Sequence, residues 1–249
     1  MSVFIVVVIS DCWLRFVEGS YRSSMVINEK KTPDITTALD AVKDGDLVLL
    51  GGFGDAGVPI ALIKGLTKKR LRDLTIVNNG GGEDDSPISL LLESGAVKKV
   101  ICTFPYQSGS VVFKDLYHSG KIELELVPQG TLSERMRNAG SGLGGFLTLT
   151  GLGTEIAEEK LHIEVDGKTY LVEKPLHADI ALIKADKVDP RGNLTYRMSA
   201  RNFNPVMAMA ARHTIVQATE EVALGDLDPA VIVTPGIYVD RYVIDEEGA

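Results

Sequence analysis

Leu47-Val48-Leu49-Leu50-Gly51-Gly52-Phe53-Gly54-Asp55-Ala56-Gly57-Val58-Pro59 is the stretch on which the fold turns. An uninterrupted apolar run reads as a strand covered on both faces, the glycines behind it as a tight turn, and the residues from Pro59 onward as a helix. Glycine in such a turn lets backbone N–H groups approach a ligand without Cβ interference, and the helix N-terminus adds partial positive charge. An anionic or oxyanionic ligand is the expected guest.

The same alternation continues on either side. Thr32-Pro33-Asp34 reads as an N-cap followed by proline at the first helical position; Ile35, Leu39 and Val42 mark an apolar face, and Asp44-Gly45 closes the helix. A helix over residues 59–68, a strand over 74–77, a helix begun by Ser86-Pro87 and ended near Gly95, and a strand over 99–102 follow. This rhythm predicts an α/β fold with a mostly parallel sheet and helices on both faces, its ligands outside the carboxyl ends of the strands. Residues 122–127 alternate apolar and acidic residues, as a strand with one wet face would. Pro128-Gln129-Gly130 reads as a turn, and 131–137 as a short amphipathic helix. Asp166-Gly167 between residues 161–165 and 168–172 signals a hairpin, a small antiparallel flap on the main sheet. Apolar runs at 180–183 and 214–216 return to buried strands, and 207–211 reads as buried helix.

With 249 residues, 45% of them hydrophobic, the chain suits one large α/β domain, assigned to residues 25–249. Residues 1–24 lack this patterning and read as an extension outside the fold, with Met25 as the ordinary start and a buried extra strand as the competing reading. The apolar run 3–9 has no basic residues before it and stops at Asp11, too short for a membrane span and poor as a secretory signal. A net charge of −8 argues against a general nucleic-acid binder, and Lys68-Lys69-Arg70 with Arg72 reads as a solvated helix end. Cys12 and Cys102 stand far apart, giving neither a disulfide framework nor a zinc site, so a reducing cytoplasm is the expected compartment.

Two stretches match GxGxxG, Gly52 to Gly57 and Gly140 to Gly145. The first has a strand before it and a helix after it, but the strand that should end in an acidic residue for a ribose ends in Asn78-Asn79. The second runs into Phe146-Leu147-Thr148-Leu149-Thr150-Gly151, which has no helical period. A nicotinamide site is therefore the weaker alternative. No GxSxG, HExxH or Walker A sequence occurs, and His118, His162, His177 and His213 show no ligand spacing, so no metal site is expected. The loops suit binding, yet no nucleophile or base stands out.

The stretch from Asp44 to Gly54, followed by Gly57-Val58-Pro59, resembles the signature of the α (A) chain of family I CoA-transferases. Five further blocks fit the same family in the same order: Val127-Pro128-Gln129-Gly130-Thr131-Leu132, Gly142-Leu143-Gly144-Gly145-Phe146-Leu147-Thr148, Gly192-Asn193-Leu194-Thr195-Tyr196, Ser199-Ala200-Arg201-Asn202-Phe203-Asn204-Pro205 and Thr234-Pro235-Gly236. The resemblance implies the CoA-transferase, isomerase-like sheet and reversible transfer of coenzyme A between carboxylic acids. It implies a ping-pong reaction through a glutamyl-CoA thioester whose glutamate belongs to a β chain. The partner would be that β subunit in an α2β2 assembly, with the present chain inactive alone. The CoA thioester enters as substrate, with no permanently bound cofactor. Glu93, Glu134 and Glu173 receive no role.

By the same resemblance Gln129 corresponds to the oxyanion-hole glutamine, a neutral donor where negative charge develops on the carbonyl oxygen. Gly51, Gly52, Phe53, Gly54, Asp55, Ala56 and Gly57 would form a CoA-binding loop. Arg201, Asn202 and Asn204 are read as structural, closing turns or fixing an interface. Leu143-Gly144-Gly145-Phe146 is similar to relatives using acetate and acetoacetate. Acetyl-, acetoacetyl- or butyryl-CoA is thus the first expectation, and 3-oxoadipate or succinyl-CoA:3-oxoacid transfer is the alternative. Thr148-Leu149-Thr150-Gly151 departs from the family's Thr-Pro-Thr-Gly.

Overall fold

The computed structural model describes residues 30–106 and 110–245. The readings made for residues 1–24, and Cys12 among them, lie outside the described residues. Among the described residues the main sheet has seven strands in the order β10-β9-β8-β1-β2-β3-β4. These are β1 (Leu47–Leu50), β2 (Leu74–Val77), β3 (Val97–Cys102), β4 (Glu123–Leu126), β8 (Ala178–Val188), β9 (Ala211–Glu221) and β10 (Arg241–Ile244), and every pairing between neighbours is parallel.

Alternating side chains of the central strands build two apolar layers. Val48, Leu50, Ile180 and Leu182 point to one, with Leu62, Ile63 and Leu66 of α2 (Ile60–Lys68) and with Leu91 and Leu92 of α3 (Pro87–Glu93). Leu49, Ala181 and Ile183 point to the other, with Leu132 and Met136 of α5 (Gln129–Gly140) and Met207 of α6 (Asn204–Ala210). A strand covered on both faces carries no polar position, which is why residues 47–50 are uniformly apolar. β1 leads into α2 on one face, whereas β8 leads toward α6 on the other. The chain therefore parts at the carboxyl ends of two adjacent strands, the topological switch point where open α/β sheets hold ligands.

The expected helices and flap are present, with informative shifts. Asp34, not Thr32, caps the first helix, accepting from Thr37 N–H at 2.8 Å. Thr32 is buried instead and ties the chain to β10 by donating to the Tyr242 carbonyl through its backbone N–H (2.8 Å) and its hydroxyl (3.1 Å). The helix α1 (Ile35–Ala38) makes one turn and tightens to a 3₁₀ turn at Leu39–Ala41. Ser86 caps α3 as expected. α4 (Val111–His118) precedes β4, the edge strand whose acidic positions discourage pairing with another chain. Its wet face is partly closed, because Glu125 accepts from Lys99 Nζ at 2.6 Å and Arg135 at 3.0 Å.

β8 and β9 run far beyond the apolar cores at 180–183 and 214–216. Past Ile183 the strand β8 carries Lys184, Asp186 and Lys187, whose polarity hid the continuation. The antiparallel flap joins β5 (Phe146–Thr148), β7 (Lys168–Glu173) and β6 (His162–Val165). Its hairpin turns at Asp166 (φ 51°) and Gly167 (φ 72°), the positive-φ pair of the turn type that matches strand twist. Glu173, buried, pairs with Lys160 and anchors the flap.

Candidate active site

The loop after β1 is held from outside by the segment that opens α6. Asn204 is fully buried; its Nδ2 donates to the carbonyls of Gly57 (3.1 Å) and Ala200 (2.8 Å), and its Oδ1 accepts from Lys184 N–H at 3.2 Å. Asn202 adds a bond from Nδ2 to the Ala56 carbonyl at 2.9 Å. At the tip the N–H groups of Phe53 and Ala56 donate to one another's carbonyls, at 3.0 and 3.2 Å. Gly57 adopts φ 71°, and a Cβ there would meet the Ala200 carbonyl oxygen at 2.4 Å.

The anion expected at the start of α2 finds that end already occupied. Ala61 N–H donates to Gln217 Oε1 at 2.9 Å and Leu62 N–H approaches the same oxygen at 3.5 Å; Gln217 is buried on β9 and donates to Asp245 Oδ2 at 2.7 Å. A neutral amide satisfies the first donors of the helix, so charge recognition at this point falls to side chains.

Gln129 is not in a turn but at the first position of α5, where its backbone N–H needs no helical partner. Its Nε2 donates to Asn79 Oδ1 at 2.8 Å, across the carboxyl ends of β2 and β3. Asn78, beside it, donates from Nδ2 to the Leu50 carbonyl at 2.7 Å and accepts from Gly80 N–H at 3.0 Å. The two asparagines that displace the acidic residue of a dinucleotide site thus have another task. One finishes β1 and the other holds Gln129.

Three cavities border the loop. Phe53, half exposed, lines one of about 280 Å³ together with Gln129, Ser133 and Asn202. Gly54 and Asp55 line a second of about 400 Å³ with Asn78 and Asn79, and Asp55, Ala56 and Gly57 line a third of about 350 Å³ with Lys184 and Arg197. Gly51 and Gly52, expected in the same CoA-binding loop, sit at closely packed positions. Both are buried and line none of these cavities, and a Cβ on Gly52 would come within 2.5 Å of Val58 Cγ2.

Cys102 lies fully buried at the end of β3, and burial pushes its thiol up to about 12 against a hydrogen bond from Phe104, leaving no thiolate for nucleophilic work. Among the described residues no group of three or more His, Cys, Asp or Glu is placed to share a metal ion, and no helix is long and apolar enough to cross a membrane. Asn79, Asn204 and Gln217 escaped the sequence reading as site residues. The pair Asn78-Asn79 was visible as an anomaly at a strand end, and Asn204 within a polar cluster, whereas Gln217 gave no signal before β9 was placed beside α2.

A family model described as Coenzyme A transferase matches residues 32–245. The A chain of the 3-oxoadipate CoA-transferase of Pseudomonas putida is 53% identical over 214 residues, covering 86% of this chain and 93% of that one. The alpha chain of the acetate CoA-transferase of Escherichia coli K12 is 44% identical over 209 residues, 82% of this chain and 92% of that one. Among solved structures, an acyl-CoA transferase of Escherichia coli O157:H7 in a thioester complex with CoA superposes with a TM-score of 0.77 at 26% identity. It covers 90% of this chain, which spans 50% of the length of that one. The matched span takes in β1, the glycine loop, Gln129 and the segment that clamps them, and on that ground the chain belongs to the coenzyme A transferases, as the α-type polypeptide of family I.

Proposed function

We propose that this chain is the α-type polypeptide of a transferase that moves coenzyme A between a dicarboxylic acyl-CoA, such as succinyl-CoA, and a 3-oxo acid of the 3-oxoadipate type. The observation that carries this is the 53% identity with the corresponding chain of a 3-oxoadipate CoA-transferase, against 44% with that of the acetate enzyme. The acetate-type reading of residues 143–146 yields to it, since a four-residue loop segment weighs less than identity over the whole sheet.

The chemistry needs a carboxylate nucleophile and a donor for the oxyanion. Among the described residues the cavity shared by Phe53 and Gln129 is lined by Gly130, Ser133, Asn202 and Phe203 besides, without a carboxylate. The donor is here and the nucleophile comes from a second polypeptide, the β subunit, in an α2β2 assembly. Its glutamate oxygen attacks the thioester carbonyl; the C–O bond forms, the C–S bond breaks, and CoA leaves as thiolate from a mixed anhydride. The thiolate then attacks the glutamyl carbonyl, releasing the donor acid and leaving a glutamyl-CoA thioester. The acceptor carboxylate reverses both steps. In each addition the carbonyl oxygen gains charge, and the Gln129 amide stabilises it without reorganising. Residues 53–57 form the wall along which the CoA arm lies.

Co-expression with the β subunit tests this directly. The complex is expected to exchange CoA between succinyl-CoA and 3-oxoadipate faster than between acetyl-CoA and acetoacetate, with this chain inactive alone. Trapping the thioester on a glutamate of this chain, or a preference for the acetate pair, would overturn the proposal.

A further inference from the structure

A glutamine amide has two ends of opposite polarity, and it serves an oxyanion only when the NH₂ end faces the reacting carbonyl. Gln129 stands exposed at the start of α5, where nothing in its own helix decides between those ends. Asn79 decides. Its Oδ1 lies 2.8 Å from Gln129 Nε2 and 2.8 Å from Thr103 Oγ1. The Thr103 hydroxyl also lies 2.9 Å from the Asn79 main-chain carbonyl oxygen, but that oxygen already accepts the N–H groups of Thr103 (3.0 Å) and Phe104 (3.1 Å). With both lone pairs engaged there, the hydroxyl proton goes to Oδ1. Oδ1 is thereby fixed as an acceptor, and a flipped Gln129 would set oxygen against oxygen. One N–H of Gln129 is tethered, and the other is left for the cavity it shares with Phe53.

We infer that Asn79 is a positioning residue of the transfer reaction, acting through Gln129, with Thr103 setting its orientation from behind. Asn79 is nearly buried, 7% exposed, at the end of β2, so it is anchored to the sheet while Gln129 sits on a helix end. The inference rests on the reading of Gln129 as the oxyanion donor.

The test is a double-mutant cycle on the complex with the β subunit, with succinyl-CoA as donor. Gln129→Ala is expected to lower kcat about 100-fold. Asn79→Leu is expected to lower kcat about tenfold while KM for the acyl-CoA stays within about twofold, because the loss falls on the transition state. In the Gln129→Ala background Asn79→Leu should have no further effect. Thr103→Val, which keeps the side chain's shape, should give a smaller loss that also vanishes in that background, and it carries the test if Asn79→Leu does not assemble. Losses that multiply in the double variant would overturn the role of Asn79 and leave Gln129 standing. An unchanged rate in Gln129→Ala alone would remove the donor reading itself, and Asn79 with it.

Discussion

A Cβ placed on Gly51 would lie 1.9 Å from Oδ1 of Asn204, a side chain with no solvent exposure. The first residue of α6 is thus packed into the space that a glycine at the end of β1 leaves free. Gly51 also donates its N–H to the Leu182 carbonyl at 2.9 Å, so β1, β8 and the start of α6 meet at one point, the switch point of the sheet. Gly51→Ala cannot be absorbed by a rotamer change, because Asn204 is fixed by Gly57, Ala200 and Lys184. The variant is expected to lose about 3 kcal/mol of stability, from overpacking and from displaced hydrogen bonds. Urea unfolding of the pure chain measures this, and an unchanged midpoint would contradict the packing argument.

A second prediction concerns acid. Burial acts to raise the Glu125 carboxyl, but hydrogen bonds and charge from Lys99 and Arg135 outweigh it and hold the group below its ordinary value of 4.5. A carboxyl whose folded pKa lies below its unfolded one contributes stability above the unfolded value and loses it as pH falls through the folded one. Glu125 joins β3, the edge strand β4 and the helix that begins with Gln129. Glu125→Gln is therefore expected to lower the melting temperature at pH 7 and to flatten its decline between about pH 5 and 3. Parallel acid limbs in the two proteins would refute the assignment.

Fold and site differed in how far they could be read from the chain, for a physical reason. β1, β2 and the cap at Ser86 depend on local patterning, and the Asp166-Gly167 turn depends on positive φ at two adjacent residues; each is written within a few residues. The first turn of α5 was missed because Gly130, directly after Pro128-Gln129, has poor helical propensity and reads as a turn, and the helix starts there only where packing against α6 compensates. The far half of β8 was missed because Lys184 and Asp186 line the cavity and Lys187 pairs with Glu220, so its polar residues break the apolar run. Asn79 and Gln129 are fifty positions apart, and their hydrogen bond exists only after β2, β3 and α5 converge. Polar contacts between distant elements leave no periodicity behind them.

The dicarboxylic substrate of the proposed reaction carries its own requirement. A second carboxylate taken into a cleft must find a cation, since an unpaired charge there is costly. The cavity of about 350 Å³ beside Asp55, Ala56 and Gly57 offers Lys184 and Arg197. Burial lowers the pKa of Lys184, and Asp245 and Asp186 counter that effect, so its charge is already engaged within the protein. Arg197 is exposed at the cavity wall, and a guanidinium can grip a carboxylate with two parallel N–H bonds. Arg197→Gln is expected to raise KM for 3-oxoadipate about tenfold, while KM for acetoacetate, which has no second carboxylate, changes by less than about twofold. Steady-state kinetics of the complex with each acceptor separate the two effects. Equal increases for both acids would tie Arg197 to a feature the two acids share and leave the second carboxylate to another cation.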